Sequence, residues 1–469
     1  MIKNNNLNII IIFLFIGIWI SIGSDPYNFL FLFETDYKIK RITENLNYKD
    51  IINLLRAIFP LFCCIICLFF LIKYRLFKKQ KQFLNILLAI QIIQIFSTIL
   101  STNTIMWGYE NIIDHVGRYN WLLSSIATIF IFMIANKLKN FNLKNLFYIS
   151  IFFLSCMVVW FSLKNIVDFY SLETRTSIYN LDVFRDSAFF LNHQMPRVTG
   201  LSRSIIFLYV ITFFLSQNTL WKIRIYLYVI LIILGSLIFI YQSKYALISY
   251  IIINIIFYFN FLDKKKGSKI IILLFISQIV VFYSLSSSRI IIDNFKKSEL
   301  PSQNQELELN EKKNKEDIRH FRKFKDLNKK GISLLEHVIL SGRAQLWLHS
   351  FDFIKHRPFL GYGSMSDRYL LNEYRIDNNF LVNPVSNAFI YSFLSGGVFC
   401  LFLFLMFWWN LKKRILTLIN IKYISNNYCK IGTTIVLLIG LRCLVENSIM
   451  LFGVDFILII NSLYLTEEK

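Results

Sequence analysis

Charge is scarce in this 469-residue chain: 17% of residues are charged, and only 29 are acidic. Hydrophobic residues make up 55%, aromatic residues 17%, and mean hydropathy is +0.52. That balance excludes a soluble globular fold. The seven cysteines (Cys63, Cys64, Cys67, Cys156, Cys400, Cys429, Cys443) fall in apolar runs or predicted cytoplasmic loops, so no structural disulfide is expected. Cys63, Cys64 and Cys67 read as packing residues. No spacing resembles a metal site, and neither metal nor cofactor is expected. There is also no convincing internal repeat, whereas transporters commonly carry one.

What is present is a succession of apolar runs, each long enough to cross a bilayer core of about 30 Å. About twelve such spans are expected, near residues 7–23, 56–73, 83–101, 120–136, 146–163, 204–217, 225–241, 245–262, 270–286, 388–409, 432–450 and 452–465. The first reads as an uncleaved helix rather than a signal peptide, because so many spans follow it. The fold class is therefore all-α and polytopic, since lipid leaves few other ways to satisfy the backbone. The net charge of +22 would suggest nucleic acid in a soluble protein. Here the basic residues collect in short loops: Lys73 to Lys81, Lys137 to Lys144, Lys264 to Lys269, and Lys412 to Arg414. Such loops stay cytoplasmic, so no nucleic-acid partner is expected. They alternate correctly with twelve spans only if both termini are cytoplasmic.

Residues 1–286 thus hold the first nine spans, with an outer loop at 164–203, and residues 388–469 hold the last three. Between them, 287–387 forms a large outer loop. Its 303–330 portion is strongly charged and reads as a solvated insert. In 341–357, apolar residues at 344, 347, 348, 351 and 354 have helical spacing. Ser341 is a plausible N-cap, and Pro358 forces an end near Arg357. This amphipathic helix is expected to lie on the membrane surface with Trp347 and Phe351 turned inward. Gly361 and Gly363 then allow a tight turn back towards the bilayer.

Four basic residues converge on the outer face. Arg197 precedes the sixth span, Arg203 lies at its mouth, Lys244 sits in a very short outer turn, and Arg343 opens the surface helix. Cations at headgroup depth suit a phosphate or pyrophosphate, or they snorkel to ordinary lipid. Arg442 and Glu446 lie four apart in the eleventh span, a spacing that permits an ion pair on one helix face. All six histidines fall in predicted outer loops.

The order Arg197-x-x-Gly200, Ser243-Lys244-x-Ala246, Ser341-Gly342-Arg343-x-x-x-Trp347, then Pro358-x-x-Gly361-x-Gly363 resembles the O-antigen ligase and polymerase superfamily. Ser386-Asn387, with Gly397 ten residues on, aligns with its closing His-Asn pair. The resemblance covers roughly residues 190–410, and the twelve-span topology extends it. It implies a multi-pass protein of the bacterial inner membrane that takes a glycan from a polyprenyl pyrophosphate donor at the periplasmic face. An acceptor glycan hydroxyl would attack near Ser386 and Asn387, while Arg197, Arg203, Lys244 and Arg343 hold the pyrophosphate. Two departures matter. Lys244 stands where the family usually has arginine, which loses bidentate geometry. Ser386 replaces the histidine thought to activate the acceptor, and serine is no general base near neutral pH. His193 or His356 would then supply the base, or base catalysis is weak. The loss favours a polymerase over a strict ligase. A lipid-linked glycan flippase is the alternative of another class, and a membrane sensor a third.

Overall fold

The computed structural model describes residues 5–22, 48–78, 80–101, 112–139, 141–171, 198–217, 219–241, 244–261, 271–281, 284, 343–370, 385–416, 424 and 426–466. Every element there is helical, and no strand occurs among the described residues. In chain order the helices are α1 (Asn5–Ser21), α2 (Tyr48–Lys73), α3 (Gln82–Ser101), α4 (Ile112–Ala135), α5 (Lys144–Ser171), α6 (Val198–Gln217), α7 (Trp221–Tyr241) and α8 (Lys244–Phe261). Then follow α9 (Ile271–Val281), α10 (Arg343–His356), α11 (Ser366–Leu370), α12 (Ala388–Leu416), α13 (Asn427–Cys443) and α14 (Val454–Leu465).

Among the described residues, six helices are long and apolar enough to span a membrane: α2, α3, α4, α5, α7 and α12. Five shorter apolar helices coincide with the expected first, sixth, eighth, ninth and twelfth spans. The expected eleventh span, 432–450, ends early. Its helix α13 stops at Cys443, and the chain turns through a 3-10 segment at Ser448–Met450. The residues there are Glu446, Asn447 and Ser448, which are poor lipid-facing groups but serve as partners at a helix end.

Apolar residues divide between two surfaces. Phe62, Phe69 and Ile72 on α2, Phe152 and Trp160 on α5, and Phe402 and Trp409 on α12 are exposed. That apolar outer surface suits lipid contact. By contrast, all twelve residues of α14 are buried, as is α4 from Ile126 to Ala135. These two are apolar almost all round, which is the pattern of a helix enclosed by others. Around them α2 packs along α4, α6 along α7, α3 along α12, and α13 along α14.

The two ends of this bundle differ. At one, Arg414 donates to Leu463 O at 2.7 Å and Thr466 Oγ1 at 2.6 Å, and it lies over the Phe83 ring. Lys144 lies 4.7 Å from the Tyr428 ring at this same end. The opposite end of α3, about 27 Å away by helical rise, carries Ser101 and everything described next.

Candidate functional site

The surface helix α10 lies against α12. Its inward residues are Leu346, Ser350, Phe353 and Ile354, spaced as one helix face. Trp347 is half-buried and donates from Nε1 to Val385 O at 2.7 Å. Phe351, expected inward, points outward at 43% exposure, because the 346–350–353–354 stripe faces α12 instead.

Pro358 ends α10, and the chain re-enters the bundle through Gly361-Tyr362-Gly363. Tyr362 N donates to Leu394 O at 2.8 Å, Gly363 N to Ser395 O at 2.7 Å, and Val398 N to Pro358 O at 2.8 Å. Leu394 O and Ser395 O are free to accept, and Val398 N to donate, because α12 breaks at Gly397 (φ 64°, ψ −162°). A Cβ on Gly397 would meet the Phe359 carbonyl, and one on Gly363 (φ 85°) would meet the Thr98 backbone. Only glycine suits both the conformation and the contact. Arg118, fully buried on α4, closes the other side of this turn. Its Nε donates to Ser364 O at 2.7 Å, and Nη2 reaches Tyr362 O. Ser101 Oγ also donates to Tyr362 O, at 2.6 Å, and Ser364 N donates to Thr98 Oγ1 at 3.0 Å. Burial pushes the Tyr362 phenol above its ordinary value, with the Arg357 cation opposing. It therefore stays neutral and donates to Phe353 O at 3.1 Å.

Ser386 is buried and has φ 51°, a left-handed conformation that costs a non-glycine residue about 1–2 kcal/mol. Such strain persists where surroundings impose it, and here they do. Asn387 Oδ1 caps α12 by accepting from Phe389 N at 2.9 Å and Ile390 N at 3.1 Å. Its Nδ2 donates to Leu444 O at 3.0 Å, and its backbone N–H donates to Asn447 Oδ1 at 2.9 Å. Asn447 in turn donates to Asp367 Oδ2 at 3.2 Å, which also accepts from Val385 N at 3.0 Å. The turn beyond α13 is thereby tied to the start of α12.

Beside this network two arginines share one carboxylate. Arg203 Nη1 and Arg442 Nε each lie 3.0 Å from Asp455 Oδ2. The side chains are 18%, 6% and 1% exposed for Arg203, Arg442 and Asp455 respectively. The Arg442 guanidinium lies 5.3 Å from the Tyr245 ring centroid, and Tyr245 Oη donates to Leu438 O at 2.8 Å. Helices α6, α8, α12 and α14 all begin at this end, and helix N-termini favour anions. Chemically, the arrangement can hold an anion by charge-assisted hydrogen bonds.

The candidates named from sequence divide as follows. Arg203, Ser386 and Asn387 are brought to this end of the bundle. Lys244 opens α8 next to Tyr245, and Arg343 opens α10 one turn before Trp347, but both side chains lie outside the described residues. Arg197 and His193 lie outside them altogether, as does the 303–330 insert. His356 is exposed at the last position of α10, about 13 Å along the axis from Trp347. Arg442, expected to pair along its helix with Glu446, has Asp455 as an ion-pair partner. Asp455, Asn447, Asp367 and Arg118 were missed. A carboxylate within the last apolar run was the available signal for Asp455; the others depend on pairings with no local spacing.

Residues 229–405 match the family model described as O-antigen ligase. This match supports the O-antigen ligase/polymerase superfamily, and it spans Lys244, Arg343, Ser386, Asn387 and the re-entrant turn. No curated protein and no solved structure matches the chain. The described residues are thus those of a helical protein with membrane-length apolar helices, and the matched stretch supports membrane glycosyl transfer of the O-antigen ligase/polymerase type.

Proposed function

We propose that the protein transfers a glycan from a polyprenyl pyrophosphate donor to a hydroxyl of an acceptor glycan, as a surface-polysaccharide polymerase. The observation that carries this reading is the Arg203–Asp455–Arg442 cluster, placed at the bundle end where the family-matched elements meet. The acceptor oxygen attacks the anomeric carbon as the bond to pyrophosphate breaks. Cations at that end neutralise the leaving group, so side chains rather than a metal carry the developing charge. In this reading Arg203 and Arg442 line the seat, and Lys244, Arg343 and Arg197 are its further cations by the family resemblance. Arg343 starts α10 about 6 Å along the axis from Trp347, whose indole bonds the residue next to Ser386.

Asn387 acts in this reading by positioning, because Oδ1 is committed to the α12 cap and Nδ2 to Leu444 O. His193 or His356 remains the candidate base. Ser386 in place of histidine favours polymerase; ligase is the second reading, differing only in acceptor. In this reading the bundle end bearing Lys144 and Arg414 faces the cytoplasm, as the positive-inside rule favours, with both termini on that side and the site at the periplasmic face of the inner membrane.

The test is reconstitution in liposomes with a polyprenyl-pyrophosphate-linked glycan. Polyprenyl pyrophosphate release together with longer glycan is expected, falling at least 100-fold, on the order of a lost transition-state contact, in Arg203→Ala. Glycan crossing the bilayer without new bonds would instead identify a flippase.

A further inference from the structure

An anion seat needs cations, yet the two arginines here already share a carboxylate. Neither pairing is the two-oxygen fork that arginine and carboxylate usually adopt. Both guanidiniums approach the single oxygen Oδ2 of Asp455. The other oxygen, Oδ1, is buried without a hydrogen bond of good geometry among the described residues, although the Ser448 hydroxyl is near the carboxylate. Arg203 Nε and Arg442 Nε are likewise unsatisfied, so Arg442 meets Oδ2 as a charge contact. A buried carboxylate oxygen without a well-aligned donor is costly, so this arrangement is not one optimised for its own stability.

The three members differ in freedom. Asp455 lies in the first turn of α14, a helix buried along its whole length, so its carboxylate cannot swing away. Arg442 is held at the Tyr245 ring. Arg203 is the most exposed of the three. Glu446, beyond the end of α13, is the other acidic group whose charge bears on both arginines.

We infer that Asp455 is a built-in counter-ion that a pyrophosphate group must displace. It holds both guanidiniums before the donor arrives, yields Arg203 to the pyrophosphate, and takes it back as polyprenyl pyrophosphate leaves. Asp455 is thus a positioning and release residue. The inference rests on the proposed pyrophosphate seat. Its function is to keep the product from being trapped, because an uncompensated pair of buried arginines would bind any pyrophosphate too tightly for turnover.

The experiment titrates inorganic pyrophosphate into the purified full chain in detergent, reading binding by thermal shift. Wild type is expected to bind. Asp455→Asn, which removes one negative charge at the same shape, is expected to bind about tenfold tighter, the low end of what one unit charge at contact is worth. Multiple-turnover glycan transfer by this variant should fall, and Asp455→Glu should behave as wild type in both. A merely structural aspartate would weaken or leave unchanged the anion affinity when replaced, and that result overturns the inference while the seat stands. Failure of the wild type to bind would instead overturn the seat itself. Should Asp455→Asn not fold, Asp455→Asn/Arg442→Gln restores the charge balance. That pair is expected to bind pyrophosphate at least as tightly as wild type through Arg203, and its loss of binding would contradict the inference.

Discussion

At the scale of single residues, two side chains bear the geometry of the site without belonging to any recognisable motif. Arg118 is the only described side chain donating to Ser364 O, whereas Tyr362 O is also reached by Ser101. Arg118→Met should therefore strand one buried carbonyl and cost about 1–3 kcal/mol, read as a lower thermal midpoint of the purified protein; an unchanged midpoint would contradict the clamp. Asn387 can be dissected more finely. Asn387→Asp keeps the cap on α12 but loses the donor to Leu444 O, while Asn387→Ala loses both. Alanine should cost about 1 kcal/mol more than aspartate, and equal losses would mean the cap contributes nothing. Sequence reading gave Arg442 and Glu446 a spacing that permits an ion pair on one helix face. The helix stops at Cys443, yet Glu446 N still donates to Arg442 O at 2.8 Å and the Glu446 charge acts on Arg442. The partner that sequence reading missed, Asp455, is on another helix, and no periodicity links the two.

At the scale of elements, the decisive feature is that a loop motif and a helix break fit each other. Glycines at 361 and 363 were legible as a turn because positive φ is their use. That the turn would seat on α12 was not legible, since Gly397 lies inside an apolar run that reads as continuous helix. The pairing predicts a shared defect: Gly363→Ala and Gly397→Ala should each destabilise the protein by more than about 2 kcal/mol, through strain plus collision. The two together should cost less than the sum, because either change already unseats the turn. Additive thermal shifts would argue against the docking. The surface helix teaches a similar lesson. Its existence followed from spacing, but its rotation followed from α12, so Trp347 kept its expected direction and Phe351 did not.

At the scale of the whole molecule, hydrophobic run length was the most legible signal of all, because a bilayer imposes one length on every crossing. It found the helices but misjudged their ends wherever polar residues serve other helices, as beyond Cys443. It also could not separate lipid-facing α2 from enclosed α14, since both are apolar. Orientation is directly testable. With the basic end cytoplasmic, and with the exposed Cys156 replaced, Lys78→Cys should resist a membrane-impermeant thiol reagent in intact spheroplasts, while Ser302→Cys in the expected outer loop should label; the reverse pattern would invert the site. The most direct test of the account is the surface-glycan length profile, by gel, of the source bacterium lacking this gene and complemented with wild type or Arg203→Ala. The account predicts that a long-chain ladder collapses to single units on deletion and returns with wild type but not with Arg203→Ala. Polymer left on the lipid carrier and absent from its final acceptor would reassign the protein as a ligase. A profile unchanged by deletion would contradict glycan transfer outright.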